Sequence, residues 1–452
     1  MVVNGVALRL RHLLGDQMGT RLFGPGLISL VVKVAGAGLS YAMLVAFARM
    51  MAPDEFGQFG QMLNLSVVLA AAAGFGLPTA VLRYWPGHVA KGEFPLAKGF
   101  VRDAQLLLLA GALVLIIAGL LADAGRTDVN TLGLKWGWLT VALLAAVFAF
   151  GDYYSSALRA QGQTAWSLVP RDIVWRIVAP AAAGFWFWLS GALDAGAAIA
   201  ACIAIMALVA VAQYLVSARE TERILGSASA ERDWKNWRGP LLPLWGASLL
   251  YAMVQQLDVV VVGTLVGPTE AGAYFAAQKT ASLLGLVMIA AGLVAAPLMA
   301  GAYQAGRKDE LQRICRMIGL AIAVTTLLGF CVLALIGAPL LAIFDPTYDA
   351  AYPILMVLAL GYSIDALAGP SAYLMQMTSL EGPYLRLMAI VYAFVLALQF
   401  FLVPKYGVLA AASASAAGVC LWNVIAIRLL RSRIGIDPSI LSFISPPKAA
   451  VQ

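Results

Sequence analysis

Long apolar runs recur along the whole chain, each ended by a short polar corner. Twelve can be drawn, at 25–48, 58–80, 100–122, 134–157, 168–190, 193–216, 240–264, 270–299, 314–337, 350–375, 384–403 and 406–427. A helix needs ~20 apolar residues to cross a bilayer core, and these runs have that length. Their apolar residues are continuous, whereas barrel strands alternate every second residue. Lipid offers no water to bare backbone groups, which leaves helices as the way across. The pattern predicts an all-α integral membrane protein of about twelve transmembrane helices. The first run is read as a retained helix, not a cleaved leader.

The runs repeat. "MAPDEFGQF" follows the first run, and "VGPTEAGAY" follows the seventh. Pro53, Glu55, Gly57 and Phe59 match Pro268, Glu270, Gly272 and Tyr274, 215 residues later. "LRAQGQTAW" at 158–166 is echoed by "TSLEGPYLR" at 378–386, and "AGAAIAA" at 195–201 by "YGVLAAA" at 406–412. A fixed offset near half the chain length marks an internal repeat. The expected plan is a cytoplasmic tail (1–24), an N-lobe of six helices (25–216), a cytoplasmic linker (217–239), a C-lobe of six helices (240–430) and a cytoplasmic tail (431–452). Six is even, so both lobes start on the same face and the repeat is parallel. The linker is expected to carry a short amphipathic helix with Trp234 and Trp237 at the interface. Each corner predicts a helix start: proline loses nothing at the first helical position. Glutamate two residues on favours the positive end of the helix and can reach back to a free amide. The two corners are also expected to face each other on the outer side as a gate.

Composition agrees with the pattern: 62% of residues are hydrophobic and 12% charged, against about 25% charged in soluble domains. The net charge of +7 suggests nucleic acid until topology is considered. Apart from two lysines within the runs, nearly all Lys and Arg fall in loops on the side of the termini, including Arg171 and Arg176; Arg49, Arg126, Lys135 and Lys405 fall on the other. Cytoplasmic loops hold such an excess, so both termini are expected in the cytoplasm and no nucleic-acid partner is implied. Cys202, Cys315, Cys331 and Cys420 show no disulfide or metal spacing. His12 and His88, the two histidines, lie on the cytoplasmic side. No GxxxxGK[ST] phosphate loop is present, and the outer loops are too short to carry a catalytic group. The chain reads as a non-enzyme without cofactor or metal.

Five charges interrupt the runs: Lys33, Asp152, Asp258, Lys279 and Asp365. Each costs roughly 2.5–3.5 kcal/mol near a helix centre, so each is expected to face an interior or wet cavity. Helical spacing groups them with other polar residues: Lys33 with Ser29, Gly36 and Ser40; Asp152 with Ser156 and Arg159; Asp258 with Tyr251 and Gln255; Asp365 with Tyr362 and Gly369. Gln61 and Asn64 stripe the second helix, and Asn64 is the repeat partner of Lys279. Asp152 is expected to pair with Arg159. Asp258 and Lys279 either neutralise each other or face a cavity separately. Lys33 has no evident acidic neighbour in its own lobe. Candidate substrate-binding residues are Lys33, Asn64, Tyr251, Gln255 and Lys279. Asp258 and Asp365 are candidates for coupling to protons or sodium.

"ARMMAPDEFGQFGQ" (48–61), "GFGLPTAVLRY" (74–84), "IFDPTYDAAYPIL" (343–355) and "YGVLAAASASAAGV" (406–419) together resemble the lipopolysaccharide/O-antigen flippases. These form part of the polysaccharide-transporter branch of the multidrug/oligosaccharidyl-lipid/polysaccharide exporter superfamily. The resemblance covers nearly the full length. It implies a two-lobed, multidrug-exporter-like fold with a central cavity in the bacterial inner membrane. The implied cargo is an undecaprenyl-pyrophosphate-linked oligosaccharide, and polysaccharide assembly proteins are the implied partners. A cation-coupled multidrug exporter of the same fold is the alternative.

Overall fold

The computed structural model describes residues 16–125 and 137–443. Arg126, Lys135 and most of the two tails lie outside the described residues. All described regular elements are helical. The N-lobe holds α1 (Asp16–Met50), α2 (Pro53–Ala73), α3 (Leu77–Ala90), α4 (Phe94–Ala124), α5 (Trp138–Ala160), α6 (Thr164–Ser190) and α7 (Ala195–Leu225). The C-lobe holds α8 (Trp234–Leu265), α9 (Pro268–Ser282), α10 (Gly285–Gln304), α11 (Lys308–Ala342), α12 (Tyr352–Leu367), α13 (Ser371–Met377), α14 (Glu381–Tyr406) and α15 (Val408–Arg433). Among the described residues eleven helices are long and apolar enough to cross a membrane; counting α9 and the start of α10 as one bent span gives twelve. Leucines and phenylalanines such as Leu121, Leu335 and Phe401 are exposed on the outside of the bundle, as lipid contact requires.

Several runs break where the apolar pattern is silent. The second ends at Gly74, and α3 leaves it after Phe75 and Gly76, both at positive φ. The eighth bends by 43° between α9 and α10. There the Ser282 hydroxyl donates to the Lys279 carbonyl (2.8 Å), competing with the helix's own bonds. No separate amphipathic linker helix forms. Its charged residues, good helix formers, continue α7 and α8, leaving 226–233 between them. Trp234 stays exposed, but Trp237 is buried against Phe100 (5.3 Å between rings).

The two corners meet. A Cβ added at Gly57 would lie 1.6 Å from the Pro268 carbonyl oxygen; one at Gly272 would lie 2.9 Å from that of Pro53. Only glycine lets the two backbones approach so closely. Phe56, buried, packs its ring against those of Phe59, Phe275, Phe344 and Tyr348. The N-lobe core therefore continues into the corner end of the C-lobe, while Ala295, Met299, Leu374 and Leu387 belong to a second core. Glu55 stands in the first turn of its own helix, as expected, and also serves a neighbouring one. Its Oε2 accepts from the Ala195 amide (2.8 Å) at the start of α7, because that neighbouring helix end also offers free N–H groups.

At the far end of the chain, residues 434–443 fold back over the C-lobe. Gln312 and Asp437 exchange two hydrogen bonds, from the Gln312 amide to the Asp437 carbonyl (2.6 Å) and from the Asp437 N–H to Gln312 Oε1 (2.9 Å). Asp437, almost fully buried, also pairs with Arg431.

Candidate functional site

The charged residues of α6 build the centre of the molecule. Pro170 has no N–H to give to the carbonyl four residues back, and the helix widens to a π turn over Pro170–Val174. The carbonyls loosened there find partners: Gln213 on α7 donates to those of Trp166 (3.0 Å) and Ser167 (3.1 Å), and Ser155 on α5 to that of Ser167 (2.8 Å). Such turns often mark functional positions. Here the turn carries Arg171 and Asp172, and Arg176 follows one turn later.

Asp172, 6% exposed at its side chain, accepts from Lys33 Nζ at 2.8 Å and pairs with Arg176 at 3.3 Å. Lys33 thus does have an acidic partner in its own lobe. Sequence position hides it, because Asp172 is 139 residues away and falls at the edge of an apolar run. Arg171 and Arg176, expected outside the membrane, lie within the α6 span. Asp152 pairs with Arg171 rather than Arg159. Gly36 gives Arg176 its room: a Cβ there would lie 2.5 Å from the guanidinium.

A cavity of about 300 Å³ is lined by Lys33, Ser40, Asp172, Arg176 and Lys279, and one of about 270 Å³ by Asn64, Asp152, Arg171, Gln256 and Lys279. They share Ser40, Leu44, Arg176 and Lys279, so the two form one chamber between the lobes. Four cations face two carboxylates in it, leaving it net positive. At the corner end α1 meets the C-lobe through Tyr41 and Thr280 (3.2 Å). About 10 Å along α1 from Tyr41, by the rise of a helix, Val34 lines the chamber, as does Ile289 of α10, and the two are 51% and 48% exposed. The lobes therefore touch towards the corner end, and exposed apolar side chains of α1 and α10 border the chamber. The seam between α2 and α8 is closed at the other end too, where Trp245 donates to the Ala72 carbonyl (2.8 Å).

A second cavity, about 280 Å³, lies within the C-lobe and is lined by Gln255, Asp258, Gln278, Tyr362, Asp365 and Ser415. Asp258 accepts from Tyr274 (3.1 Å), Gln399 (3.0 Å) and Ser415 (2.7 Å). Asp365 accepts from Asn423 (2.9 Å). Among the described residues neither carboxylate has an ion-pair partner. The carbonyl oxygens of Gln399 and Asn423 are buried without a hydrogen bond. Each acid thus sits beside an amide whose oxygen makes no hydrogen bond.

The sequence candidates therefore divide. Lys33, Asn64 and Lys279 share the central chamber, with the Asn64 amide donating to Gly60 of its own helix (2.6 Å). Gln255, Asp258 and Asp365 share the C-lobe cavity, and Asp258 and Lys279 form no ion pair. Lys279 instead lies 5.3 Å from the Phe275 ring centroid. Tyr251 is 57% exposed and lines neither cavity. Arg171, Asp172, Arg176 and Gln256 escape sequence reasoning; the proline at 170 followed by two charges is the available signal for α6.

Polar chambers within a two-lobed bundle of apolar helices define a multi-pass membrane protein with a transporter-like fold. The sequence matches the family described as polysaccharide biosynthesis protein over residues 26–302, more than half of the chain, and the protein belongs to that family. Residues 243–401 also match the MatE family. A comparison with curated protein sequences finds no match. The fold is shared with an inward-facing multidrug resistance MATE family transporter of the MOP superfamily, at 14% identity over 90% of this chain and 98% of that one, TM-score 0.70. It is shared with the lipid II flippase MurJ in an inward closed conformation, at 12% identity over 89% and 87%, TM-score 0.67. A point mutant of the MATE transporter VcmN of Vibrio cholerae aligns at 16% identity over 92% and 98%, TM-score 0.61. The superfamily resemblance read from the sequence is thus borne out.

Proposed function

We propose that this protein moves an undecaprenyl-pyrophosphate-linked oligosaccharide from the cytoplasmic to the outer leaflet of the bacterial inner membrane. Both termini are cytoplasmic in this reading, and the corners face outward. The observation that carries it is the net positive charge of a chamber shared by the lobes. A pyrophosphate needs such charge, held by Lys33 and Lys279 as point charges and by Arg171 and Arg176 as planar forks. Asn64 and Gln256 offer amides to sugar hydroxyls. In this reading the prenyl tail stays in lipid beside the apolar residues of α1 and α10 that border the chamber. Rocking one lobe on the other then exposes the chamber to each side in turn. Asp258 and Asp365, each an acid without a cation, couple the cycle to protons or sodium.

Two tests separate this reading from a drug exporter, whose hydrophobic cations a positive chamber would repel. In cells lacking the native gene, Lys33→Ala at normal protein level is expected to abolish surface polysaccharide and Lys33→Arg to retain part of it. Normal polysaccharide with Lys33→Ala would end the head-group role. If loss of the protein instead sensitised cells to hydrophobic cations and left surface glycan unchanged, the exporter reading would replace this one. For coupling, Asn at both Asp258 and Asp365 should make transport insensitive to an uncoupler; unchanged sensitivity removes both acids from that role.

A further inference from the structure

At the corner face a charged side chain of the N-lobe hydrogen-bonds to a helix end of the C-lobe. Arg49 ends α1 of the N-lobe, and its guanidinium donates from Nε to the Ile343 carbonyl (2.5 Å) and from Nη2 to the Ala342 carbonyl (3.0 Å). Those two residues end α11 of the C-lobe. The last carbonyls of a helix have no partners within it and carry its negative dipole end. We propose that Arg49 is an inter-lobe latch that biases the outer mouth towards closure.

Around it lie steric packing and a neutral hydrogen bond: the facing glycine backbones, the Phe56 ring cluster and Tyr348, whose hydroxyl donates to the Pro53 carbonyl (3.3 Å). Such packing holds the lobes together but carries no net charge. Arg49 adds a full charge against a helix end, and it does so on one side only. Its repeat partner, 215 residues later, is Thr264, which bonds back to Val260 of its own helix (2.7 Å). The latch is also exposed at its rim. Water can therefore replace each carbonyl as the lobes part, which makes the contact reversible. An exposed charge on a helix end is worth about a fivefold bias between two states, ~1 kcal/mol.

This inference rests on the rocking of the lobes but not on the identity of the cargo, so its test needs no substrate. Spin labels at Asp54→Cys and Thr269→Cys, exposed positions on the two corners, would report the outer mouth in lipid nanodiscs. Cys331 and Cys420, the more accessible native thiols, are first replaced by Ser. Arg49→Met is expected to raise the ratio of long to short distances about fivefold, and Arg49→Lys, which keeps the charge, by less. Raising salt from about 0.05 to 0.5 M should move the unsubstituted protein the same way, since screening weakens an exposed charge. This second measurement holds even if the Met variant folds poorly. A distance distribution unmoved by both Arg49→Met and salt would overturn the latch while leaving the proposed cargo standing. Lost polysaccharide transport with the latch intact would do the reverse.

Discussion

Gly57→Ala tests how the lobes meet. The added methyl would sit 1.6 Å from the Pro268 oxygen, 2.6 Å from its carbonyl carbon and 2.9 Å from the Gly272 nitrogen. All three are backbone atoms, so no rotamer change relieves the clash. Carbon and oxygen need nearly 3.5 Å, so the corners must part by roughly 1.5–2 Å. Overpacking of this kind costs about 1–3 kcal/mol. Here the cost falls only on the state in which the corners touch. At ~2 kcal/mol the ratio of open to closed outer mouths should rise about thirtyfold. Alanine also favours the helix over glycine by ~1 kcal/mol in both states, so the protein should not unfold. The spin-label pair at 54 and 269 reads the shift directly, and Gly246→Ala, where a Cβ meets nothing within 4 Å, is the control. A Gly57→Ala distribution matching that control would refute corner-to-corner contact as the closed state.

Other substitutions test the parts around it. Asp172→Asn removes the carboxylate that holds Lys33 and Arg176; with Lys33 half-exposed, it should cost ~1–2 kcal/mol, read as a lower melting temperature. Asp437→Ala should free the C-terminal strap from Arg431 and undo the bonds to Ser439, leaving the main-chain bonds to Gln312, and cost ~2–3 kcal/mol in the same assay. Glu55→Gln weakens the charge at the start of α7 and should cost ~1 kcal/mol or less.

Much of the fold was legible because lipid imposes a simple rule: a span must be long, apolar and helical. The corner repeat was legible too, since Gly57 and Gly272 each answer to the other's backbone. What the sequence hid were pairings between spans. Lys33 and Asp172 are neighbours only because α1 and α6 pack side by side. Arg171 and Arg176 looked like loop cations because a proline preceded them and charge usually marks a membrane edge. The π turn at Pro170 keeps them inside instead. For Asp258 and Lys279 the sequence left pairing and separate cavities both open, and the structure puts them in different chambers. Nearby helix ends suggest a pair, but which way each side chain points depends on the bend at Ser282.

Contact between two glycine backbones also bears on what the membrane loses while the machine idles. Side chains rotate within picoseconds to nanoseconds where exposed, whereas whole-body movements take microseconds or longer. A plug made of flexible side chains would flicker and let protons through between cycles. A plug whose middle is main chain has nothing small to swing aside. In the proposed cycle it would open only when an entire lobe tilts, which would tie leakage through it to the rare, productive stroke.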